Sequence, residues 1–254
     1  MSAVAETAEF GRLDCETEPT VLRLARKSDL LIVIGGDGTF LGVARDVAGT
    51  RAALIGVNVG RLGFLTTIPP GGIDQALGRI WAGEFRSEKR PLIEVDAPCL
   101  AGRSVLAMND FVVARGSGSR LIELDVRVNG LELTRYRCDG LILSSPTGST
   151  AYSLAAGGAI VSPNAEVFAL TPICPHTLTN RPIILNLNAR IEIVARSQNL
   201  ETWLSADGVP VGQVACGDAV TVRRSRKSIR LLHLQGDTFF RTLRTKLRWS
   251  GAND

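Results

Sequence analysis

A run of apolar residues that ends in three glycines around one aspartate constrains the fold of this chain more than any other segment. Residues 30–34 are all apolar and branched, which is typical of a buried strand. The sequence Gly35-Gly36-Asp37-Gly38-Thr39 follows, and apolar residues resume at Phe40 as in the first turns of a helix. We therefore predict a strand, a tight turn and a helix, which together form one unit of an open α/β sheet.

The residues of this turn suit a phosphate-binding role and add a carboxylate to it. Glycines let backbone approach a ligand closely, and the first N–H groups of a helix are free to bind phosphate oxygens. Gly36, Gly38 and Thr39 are therefore candidate phosphate-binding residues. The turn is neither a P-loop, because no Lys follows the glycines, nor a dinucleotide fingerprint, because Leu41 replaces its third glycine. A carboxylate such as Asp37 does not favour anion binding, so its presence in this turn indicates a chemical role beside a phosphate. The alternative interpretation is a glycine turn whose aspartate is only solvated.

The next segments extend this α/β pattern. Residues 53–57 form a second apolar run, and a strand, helix and strand of this length predict a parallel pair with a right-handed crossover. The loop at 58–65 leaves the same end of the sheet as Asp37, so two glycine-containing loops converge there. A further amphipathic helix is predicted at 73–81.

From residue 86 onward, short alternating segments separated by turns indicate a mostly β domain. Asn129-Gly130 is a strong hairpin signal, and Asp207-Gly208 predicts another hairpin turn. Residues 237–247 return to helical spacing. Strands are predicted at 91–95, 104–107, 111–114, 122–128, 131–136, 141–143, 182–187, 190–194, 202–206, 219–222 and 229–234.

The predicted fold class is an α/β N-terminal domain with a parallel sheet, followed by a mostly antiparallel, sandwich-like β-rich domain and a C-terminal helix that returns to the first domain. The predicted boundaries are 1–88 for the α/β domain, 89–234 for the β-rich domain and 235–254 for the helical segment. Residues 1–20 show little periodicity and predict a loose lead-in without a convincing strand.

Charge and hydropathy limit the classes of partner. The formal net charge of +4 and the pI near 9.0 raise the question of nucleic acid binding. The densest basic run, residues 223–230, has no aromatic interleaving, so we predict a solvated hairpin turn there and no nucleic-acid partner. No apolar run approaches the ~18 residues of a membrane span, and no signal-peptide pattern opens the chain, so a cytoplasmic protein without a membrane partner is expected. The five scattered cysteines indicate neither a disulfide framework nor a zinc site.

A second informative segment covers residues 138–158. A short strand ends at Pro146, and the hydroxyl-rich sequence Thr147-Gly148-Ser149-Thr150 precedes a predicted helix start. Hydroxyl groups that cap the helical N–H groups are the simpler interpretation. Asp139 upstream and the Tyr152 ring in the same short span favour a nucleotide-binding site instead.

Together these segments resemble bacterial members of the NAD kinase family over residues 29–249. The resemblance rests on six motifs in this order: Gly35-Gly36-Asp37-Gly38-Thr39, Gly60-Arg61-Leu62-Gly63-Phe64-Leu65, Asn109-Asp110, Asp139-Gly140 through Tyr152, Thr171-Pro172-Ile173-Cys174-Pro175-His176 with Arg181-Pro182, and Ser205-Ala206-Asp207-Gly208. Lipid kinases and 6-phosphofructokinases share only the first motif.

The resemblance implies an enzyme that transfers a phosphoryl group from ATP or polyphosphate to the adenosine ribose 2′-hydroxyl of NAD. Asp37 stands where the family has its catalytic acid, and it would hold and deprotonate that hydroxyl. The implied cofactor is Mg²⁺ or another divalent cation, held mainly by the phosphates and not by a protein metal site. The resemblance also implies a homo-oligomer, dimer or tetramer, because the family's NAD pocket borrows residues from a neighbouring subunit.

The resemblance further implies a set of NAD-binding positions. In similar proteins Phe64 lies against the adenine, Asn109 binds NAD with Asp110 beside it, and Asp139 contacts the nicotinamide side. From the residues alone, Phe64 could equally be a core residue and Asn109-Asp110 a turn. The full implied set is Asp37, Gly38, Phe64, Asn109, Asp110, Arg137, Asp139, Thr147, Thr150, Ala151 and Tyr152.

Two departures from the family pattern and two alternative functions accompany this interpretation. Many members carry Glu where Asp110 stands, and members usually open with a strand and a helix where residues 1–20 predict a loose lead-in.

A lipid or sugar kinase built on the same glycine turn is the first alternative function, and such an enzyme has no use for the segment from Thr147 to Tyr152. A non-catalytic NAD-sensing module is the second.

Overall fold

The structure, a computed structural model, describes residues 2–3, 16–60 and 62–249, with side chains from Glu18 onward. The predicted lead-in at residues 1 and 4–15, and Arg61 of the second motif, lie outside the described residues. The chain divides into two compact units. The second unit is Pro91–Arg226, and the first contains the chain on either side of it.

The described residues contain seventeen strands, five α-helices and three short 3₁₀ helices. The strands are β1 Ser2–Ala3, β2 Glu16–Thr17, β3 Leu30–Gly35, β4 Ala53–Asn58, β5 Thr66–Ile68, β6 Phe85–Asp96, β7 Val105–Ala107, β8 Asp110–Arg115, β9 Ile122–Val128, β10 Leu131–Cys138, β11 Gly140–Ser144, β12 Val167–Ile173, β13 Ile183–Asn186, β14 Ile191–Ala195, β15 Thr202–Ala206, β16 Val209–Val214 and β17 Ala219–Leu234. The helices are α1 Val21–Lys27, α2 Asp37–Asp46, α3 Ile73–Trp81, α4 Tyr152–Ala155 and α5 Phe239–Leu247, with 3₁₀ turns at Pro70–Gly72, Pro98–Leu100 and Thr147–Thr150.

The first unit contains the predicted strand, turn and helix. Strands β3 and β4 are parallel, with Gly35 paired to Asn58, and α2 connects them. Strand β5 and the end of β17 pair with β4, again in parallel. Leu31 and Val33 are buried on one face of β3, but Ile34 on the other face is 55% exposed. Leu30 and Ile32, on the same face as Ile34, are partly buried and pack against the apolar cluster that includes Ile55 and Val57. The predicted buried strand is therefore covered on both faces except at Ile34.

Local sequence signals mark the start of three helices in the first unit. Helix α3 has the predicted bounds, 73–81. Helix α1 starts after Thr20 and α5 starts after Thr238, and each threonine hydroxyl accepts a hydrogen bond from a backbone N–H of the first turn at 3.2 Å. None of the described helices combines the length and the apolar composition that a membrane crossing requires.

The second unit consists of antiparallel strands in two layers. One layer has the order β13-β12-β11-β8-β15-β16. The other contains β10, β9, β14 and the first part of β17, and β7 pairs with the end of β6. One apolar core includes residues of both layers, such as Val126 of β9 and Leu141 of β11. The predicted fold class, an α/β part, a sandwich-like β part and a C-terminal helix, is confirmed.

Two hairpin turns predicted from dipeptides are present. Asn129 and Gly130 have φ of 52° and 83°, and Asp207 and Gly208 have φ of 48° and 79°. Both pairs therefore adopt the left-handed backbone that two-residue hairpins need, β9 to β10 in the first case and β15 to β16 in the second.

The basic run at 223–230 lies in the middle of β17, so the hairpin turn predicted there is wrong. Arg223 forms an ion pair with Glu94 at 2.7 Å, and Arg224 forms one with Glu166 at 3.0 Å. Acidic partners from other segments thus compensate the positive charges, and the strand continues through them. Both β6 and β17 extend across the division between the units, at 90/91 and 226/227, whereas the sequence pattern predicts boundaries at 88/89 and 234/235.

Candidate functional site

Asp37 is the first residue of α2, directly after its N-cap residue Gly36. Its carboxylate is fixed by the loop that precedes β5. Oδ2 accepts a hydrogen bond from the N–H of Phe64 at 2.8 Å. Oδ1 accepts from the N–H of Leu65 at 3.1 Å and from the N–H and the hydroxyl of Thr66 at 3.2 and 3.1 Å. The two predicted glycine-containing loops therefore meet at this carboxylate.

The loop that holds Asp37 is itself braced by a buried amide. The Asn58 side chain donates to the Thr66 hydroxyl at 3.0 Å and accepts from the N–H of Gly60 at 2.7 Å. Asn58 is only 2% exposed, so this bracing is shielded from water. Four hydrogen-bond donors and a braced loop hold the Asp37 carboxylate in one orientation. The carboxylate is therefore preorganised to orient a substrate group.

The glycines near Asp37 serve two different purposes. A Cβ on Gly63 would lie 1.9 Å from Asp37 Oδ1, and a Cβ on Gly35 would lie 2.8 Å from the Thr39 side chain. These two glycines are required by the protein's own packing. Around Gly36 and Gly38 nothing lies within 4 Å of such a Cβ, so no packing constraint explains glycine there. Both positions face open space at the start of α2, where the helical N–H groups are free.

Phe64 is neither fully buried nor fully exposed. The ammonium of Lys246, on α5, lies 5.3 Å from its ring centroid, within the range of a cation–π contact. Phe64 therefore presents part of its ring to solvent while its backbone N–H holds Asp37. The structure brings Asp37 and Phe64 together within the first unit.

In the second unit, Asp207 organises the backbone of the Asn109-Asp110 pair. Its carboxylate accepts the N–H groups of Met108, Asn109 and Asp110 at 3.1, 2.7 and 3.2 Å. The N–H of Asp207 donates to the carbonyl of Asp110 at 3.0 Å. A residue that the sequence indicated only as part of a hairpin turn thus sets the conformation of the candidate NAD-binding pair.

Asp110 is 4% exposed, which is unusual for a carboxyl group. Burial raises its pKa to about 7, and the neighbouring Asp207 carboxylate adds to the rise. Asp110 therefore changes its protonation state near neutral pH, where perturbed carboxyl groups at functional sites often titrate.

The hydroxyl-rich segment divides into structural and accessible residues. Four serines are fully buried and bonded within the unit: Ser144, Ser145, Ser149 and Ser153. Thr147, Thr150 and Ala151 are partly exposed, and Tyr152 is 48% exposed. The Thr150 hydroxyl donates to the carbonyl of Thr147 at 3.3 Å. The capping interpretation therefore applies to the serines, whereas the Tyr152 ring lies largely at the surface.

Gly148 connects this segment to the Asn109-Asp110 pair. A Cβ on Gly148 would lie 2.2 Å from the carbonyl oxygen of Asn109, and the N–H of Ser145 donates to that same oxygen at 2.8 Å. Asn109, Asp110 and the Thr147–Thr150 turn therefore form one cluster at one end of β11.

Asp139 is not part of that cluster. It lies just before β11, whereas Asp110 pairs with Ser144 at the other end of the strand. Five residues at about 3.3 Å each separate Asp139 from Ser144 by about 17 Å. The Asp139 carboxylate forms an ion pair with Arg115 of β8 at 2.5 Å, and the exposed Arg137 is the penultimate residue of β10.

The donor groups present do not form a protein metal site. Among the described residues, no group of three or more His, Cys, Asp or Glu side chains is arranged to hold a metal ion. At Asp37, Oδ1 is occupied by three donors, and only Oδ2 retains an acceptor position. One free carboxylate position fits a cation that takes most of its ligands from phosphates and water.

Sequence analysis missed three residues that complete these clusters: Thr66 as a donor to Asp37, Arg115 as the partner of Asp139, and Asp207 as a backbone anchor. Each acts on a residue at least 24 positions away in the chain. Local patterning carries no signal for such pairs; only the Asp-Gly of the last motif pointed to Asp207.

Comparison with known proteins identifies both parts of the chain. The ATP-NAD kinase N-terminal domain family matches residues 5–85, and the ATP-NAD kinase C-terminal domain family matches residues 108–234. The NAD kinase of Geobacter sulfurreducens is 40% identical over 225 residues, which is 87% of this chain and 79% of that protein. The NAD kinase of an Acidovorax species is 43% identical over 251 residues, which is 96% of this chain and 83% of that protein.

Solved structures agree with the sequence relatives. The crystal structure of a yeast NADH kinase complexed with NADH superposes with a TM-score of 0.86 at 29% identity, covering 94% of this chain and 72% of that one. The crystal structure of an NAD kinase from Archaeoglobus fulgidus in complex with ATP gives a TM-score of 0.76 at 29% identity, covering 94% of this chain and 91% of that one.

Proposed function

The chain belongs to the NAD kinase family, and from that premise we propose that it transfers a phosphoryl group from ATP, or from polyphosphate, to the adenosine ribose 2′-hydroxyl of NAD, which yields NADP. One observation carries the proposal for the residues involved. The Asp37 carboxylate is held by four donors at the start of α2, beside two glycines that face open space.

Asp37 orients the 2′-hydroxyl and accepts its proton. The free acceptor position on Oδ2 is the one that the hydroxyl uses, since Oδ1 is occupied by Leu65 and Thr66. Phosphoryl transfer proceeds through a loose transition state, so little proton removal is needed before the phosphorus–oxygen bond to the donor has largely broken. Positioning of the hydroxyl therefore contributes more than basicity.

Gly36, Gly38 and Thr39 receive the phosphates of the donor. The free N–H groups at the start of α2 donate to phosphate oxygens, and the absence of side chains at the two glycines lets the phosphates approach. A bound Mg²⁺ or another divalent cation would neutralise charge that develops on the transferred group. The phosphates and water would hold this cation, because the free acceptor position on Asp37 Oδ2 is the one that the 2′-hydroxyl uses.

The proposed NAD-binding residues are those that the family resemblance implies. Phe64 offers the exposed part of its ring to the adenine. Asn109 and Asp110 offer an amide and a carboxyl group to ribose hydroxyls, and Tyr152 offers a stacking face. Thr147, Thr150, Ala151, Arg137 and Asp139 complete the proposed set. The enzyme is proposed to act as a cytoplasmic homo-oligomer, dimer or tetramer.

Product formation from defined substrates tests the proposal. The purified protein is incubated with NAD⁺, Mg²⁺ and either ATP or polyphosphate, and NADP is measured with an NADP-specific dehydrogenase. NADP formation that stops on chelation of the cation with EDTA supports the proposed reaction. Absence of NADP with both donors contradicts it and leaves the NAD-sensing alternative, and phosphorylation of a lipid or a sugar instead identifies another kinase of the same glycine turn.

Asp37→Asn tests the role of the carboxylate. An asparagine amide presents N–H groups where Asp37 has an oxygen, so one of the loop donors loses its acceptor at a cost of about 1–3 kcal/mol in stability. We expect kcat to fall at least ~100-fold, since both the acceptor and its positioning are lost. Thr66→Val is the control, because it removes one donor to Oδ1 and keeps the carboxylate. Near-wild-type turnover of Asp37→Asn, measured on folded protein by circular dichroism, would refute the assignment.

A further inference from the structure

A cavity of about 470 Å³ opens in the first unit away from Asp37. It lies at the C-terminal end of α2, and its lining residues are Leu22, Ala25, Arg26, Arg45, Asp46, Ala48, Gly49, Thr50, Arg51 and Lys227. Asp37 and Asp46 are the first and last residues of α2, which at 1.5 Å per residue places them about 14 Å apart. The cavity is therefore separate from the candidate catalytic turn.

The lining is strongly basic. Four of its side chains are cationic, and Asp46 is its only carboxylate. Basic residues in the last turn of a helix complement the helix dipole, and this ordinary role accounts for Arg26 and Arg45. It does not account for Arg51, which lies in the loop before β4, or for Lys227, which lies in β17. The cations thus come from four segments of the chain and meet at one concave surface.

A buried polar atom in the same lining lacks a partner. Thr50 Oγ1 is inaccessible to solvent and forms no hydrogen bond within the described residues. A buried hydroxyl without a partner costs stability, and because Thr50 lines the cavity this hydroxyl lies just beneath the cavity surface. The adjacent Gly49 has φ of 87° and would bring a Cβ to 3.5 Å from the Lys227 side chain, so the backbone itself is folded closely against this cation.

The chemistry of the lining defines the ligand class. Guanidinium groups bind phosphate in bidentate fashion, and an ammonium adds a point charge. The apolar lining residues are Leu22, Ala25 and Ala48, and no aromatic ring is among the described lining residues to stack on a base. Asp29 lies 3.5 Å from Arg51, but both side chains are more than 70% exposed, so that ion pair is weak.

We propose that this cavity is a second anion site that binds a small, phosphate-bearing anion without a nucleobase, such as a short inorganic polyphosphate. Arg51 and Lys227 supply charges from outside the helix ends, and both line the cavity.

The test is site-resolved binding of inorganic triphosphate to the full chain. Alanine methyl groups are labelled with ¹³C, and the resonances of Ala25 and Ala48 report the cavity independently of any binding at Asp37. We expect both resonances to shift saturably on titration to about 10 mM. Arg51→Gln with Lys227→Gln should raise the midpoint at least ~10-fold, since two phosphate contacts are lost. Thr50→Val, which keeps the shape of the side chain and removes a hydroxyl that solvent does not reach, should leave the midpoint within about twofold of wild type.

The matched control is Lys89→Gln with Arg230→Gln, which removes the same charge from two exposed positions of the first unit that do not line the cavity. This control should keep the wild-type midpoint. The proposal is overturned if the two alanine resonances do not move, or if the cavity and control variants respond alike. It is also overturned if a single-stranded oligonucleotide shifts them at lower concentration than triphosphate, because the occupant would then be a nucleic-acid backbone.

Discussion

At the scale of single residues, the glycines around Asp37 separate folding from function. Gly63 is required by the protein itself, since any side chain there would overlap Asp37. Gly38 is not, because it lies in the first turn of α2 with open space around it and without a positive φ. The fold does not require glycine at position 38, and the turn suits phosphate binding. The approach of a ligand therefore explains best why glycine is present there.

Gly38→Ala should therefore lose function without losing stability. Alanine favours a helix over glycine by about 0.5–1 kcal/mol, so the melting temperature should stay equal or rise. The KM for ATP should rise at least ~10-fold, since a methyl group occupies the approach to the N–H groups. Gly42→Ala is the matched control, because Gly42 lies in the same helix with equally open surroundings. Loss of activity in both variants, or in neither, would contradict the assignment.

The buried Asp110 makes stability depend on pH. Its folded-state pKa of about 7, raised mainly by burial, lies above the ordinary value of 3.8, so folding favours its protonated form. The stability that this form contributes is fully present below pH 3.8 and is lost as pH rises through about 7. Asp110→Asn removes the titration and should be more stable than wild type by about 4 kcal/mol at pH 8 in urea unfolding. The difference should vanish near pH 4, and an equal difference at both pH values would count against the buried carboxyl group.

At the scale of elements, the sequence predicts those parts of the fold whose signals are local. The dipeptides Asn129-Gly130 and Asp207-Gly208 specify turns by backbone preference alone, and the bounds of α3 follow from apolar spacing. Strands β12 and β16 were missed because Pro172 and Pro210 within them are strand-breaking signals. The basic residues of β17 have acidic partners that are distant in sequence, so local sequence shows only a run of uncompensated charge. Such a run is typical of a solvated turn, which is why the pattern predicts a turn there.

The candidate site shows the same limit. Asp37 was identified from its own motif, but its orientation depends on Phe64, Leu65 and Thr66, which are 27 to 29 residues away. Such contacts exist only once β3, α2 and β4 have packed, and no periodicity in the chain encodes them. The residue types of a site are thus readable from sequence, and their hydrogen-bond partners are not.

The pairing of β6 with β17 brings an ionic cluster into the first unit. Glu88 of β6 lies 3.4 Å from His233 and 3.2 Å from Arg90, and Arg90 is 6% exposed. Contact with His233 lowers the pKa of Glu88 to about 2, with the charges of Arg90 and Arg86 contributing against the effect of burial. The carboxylate therefore stabilises the fold above its ordinary pKa of 4.5, and this stability is lost as pH falls toward 2.

Glu88→Gln should accordingly destabilise the protein by about 2–3 kcal/mol at pH 7, because it leaves the buried Arg90 without its counter-charge. The difference from wild type should shrink as the pH of urea unfolding is lowered from 4.5 toward 2. Glu192→Gln is the control, since Glu192 forms a surface pair with Arg127 at 3.4 Å and should cost less than about 1 kcal/mol. If Glu88→Gln lowers the free energy of unfolding equally at all pH values, the packing of the side chain and not its charge is responsible for the loss of stability.

At the scale of the whole molecule, the position of Asp139 bears on assembly. Asn109 and the Thr147–Thr150 turn lie at one end of β11, and Asp139 lies at the other. Residues about 17 Å apart along one strand do not contact the same group of a ligand within one chain. Because the family resemblance implies a pocket that borrows residues from a neighbouring subunit, we propose that Asp139 serves the site of a second copy, as closed homo-oligomers permit.

Complementation between two inactive variants tests this arrangement. Asp37→Asn and Asp139→Ala should each be nearly inactive alone, since every site then lacks one of the two carboxylates. In a hybrid dimer, one site combines both defects and the other combines the intact Asp37 of one copy with the intact Asp139 of the other. Co-expression in equal amounts makes half of the dimers hybrid, so activity should return to about a quarter of the wild-type value. Light scattering should give a multiple of 27.1 kDa at micromolar protein. Assembly without complementation would place Asp139 in the site of its own chain, and an active species of 27.1 kDa would exclude the shared site.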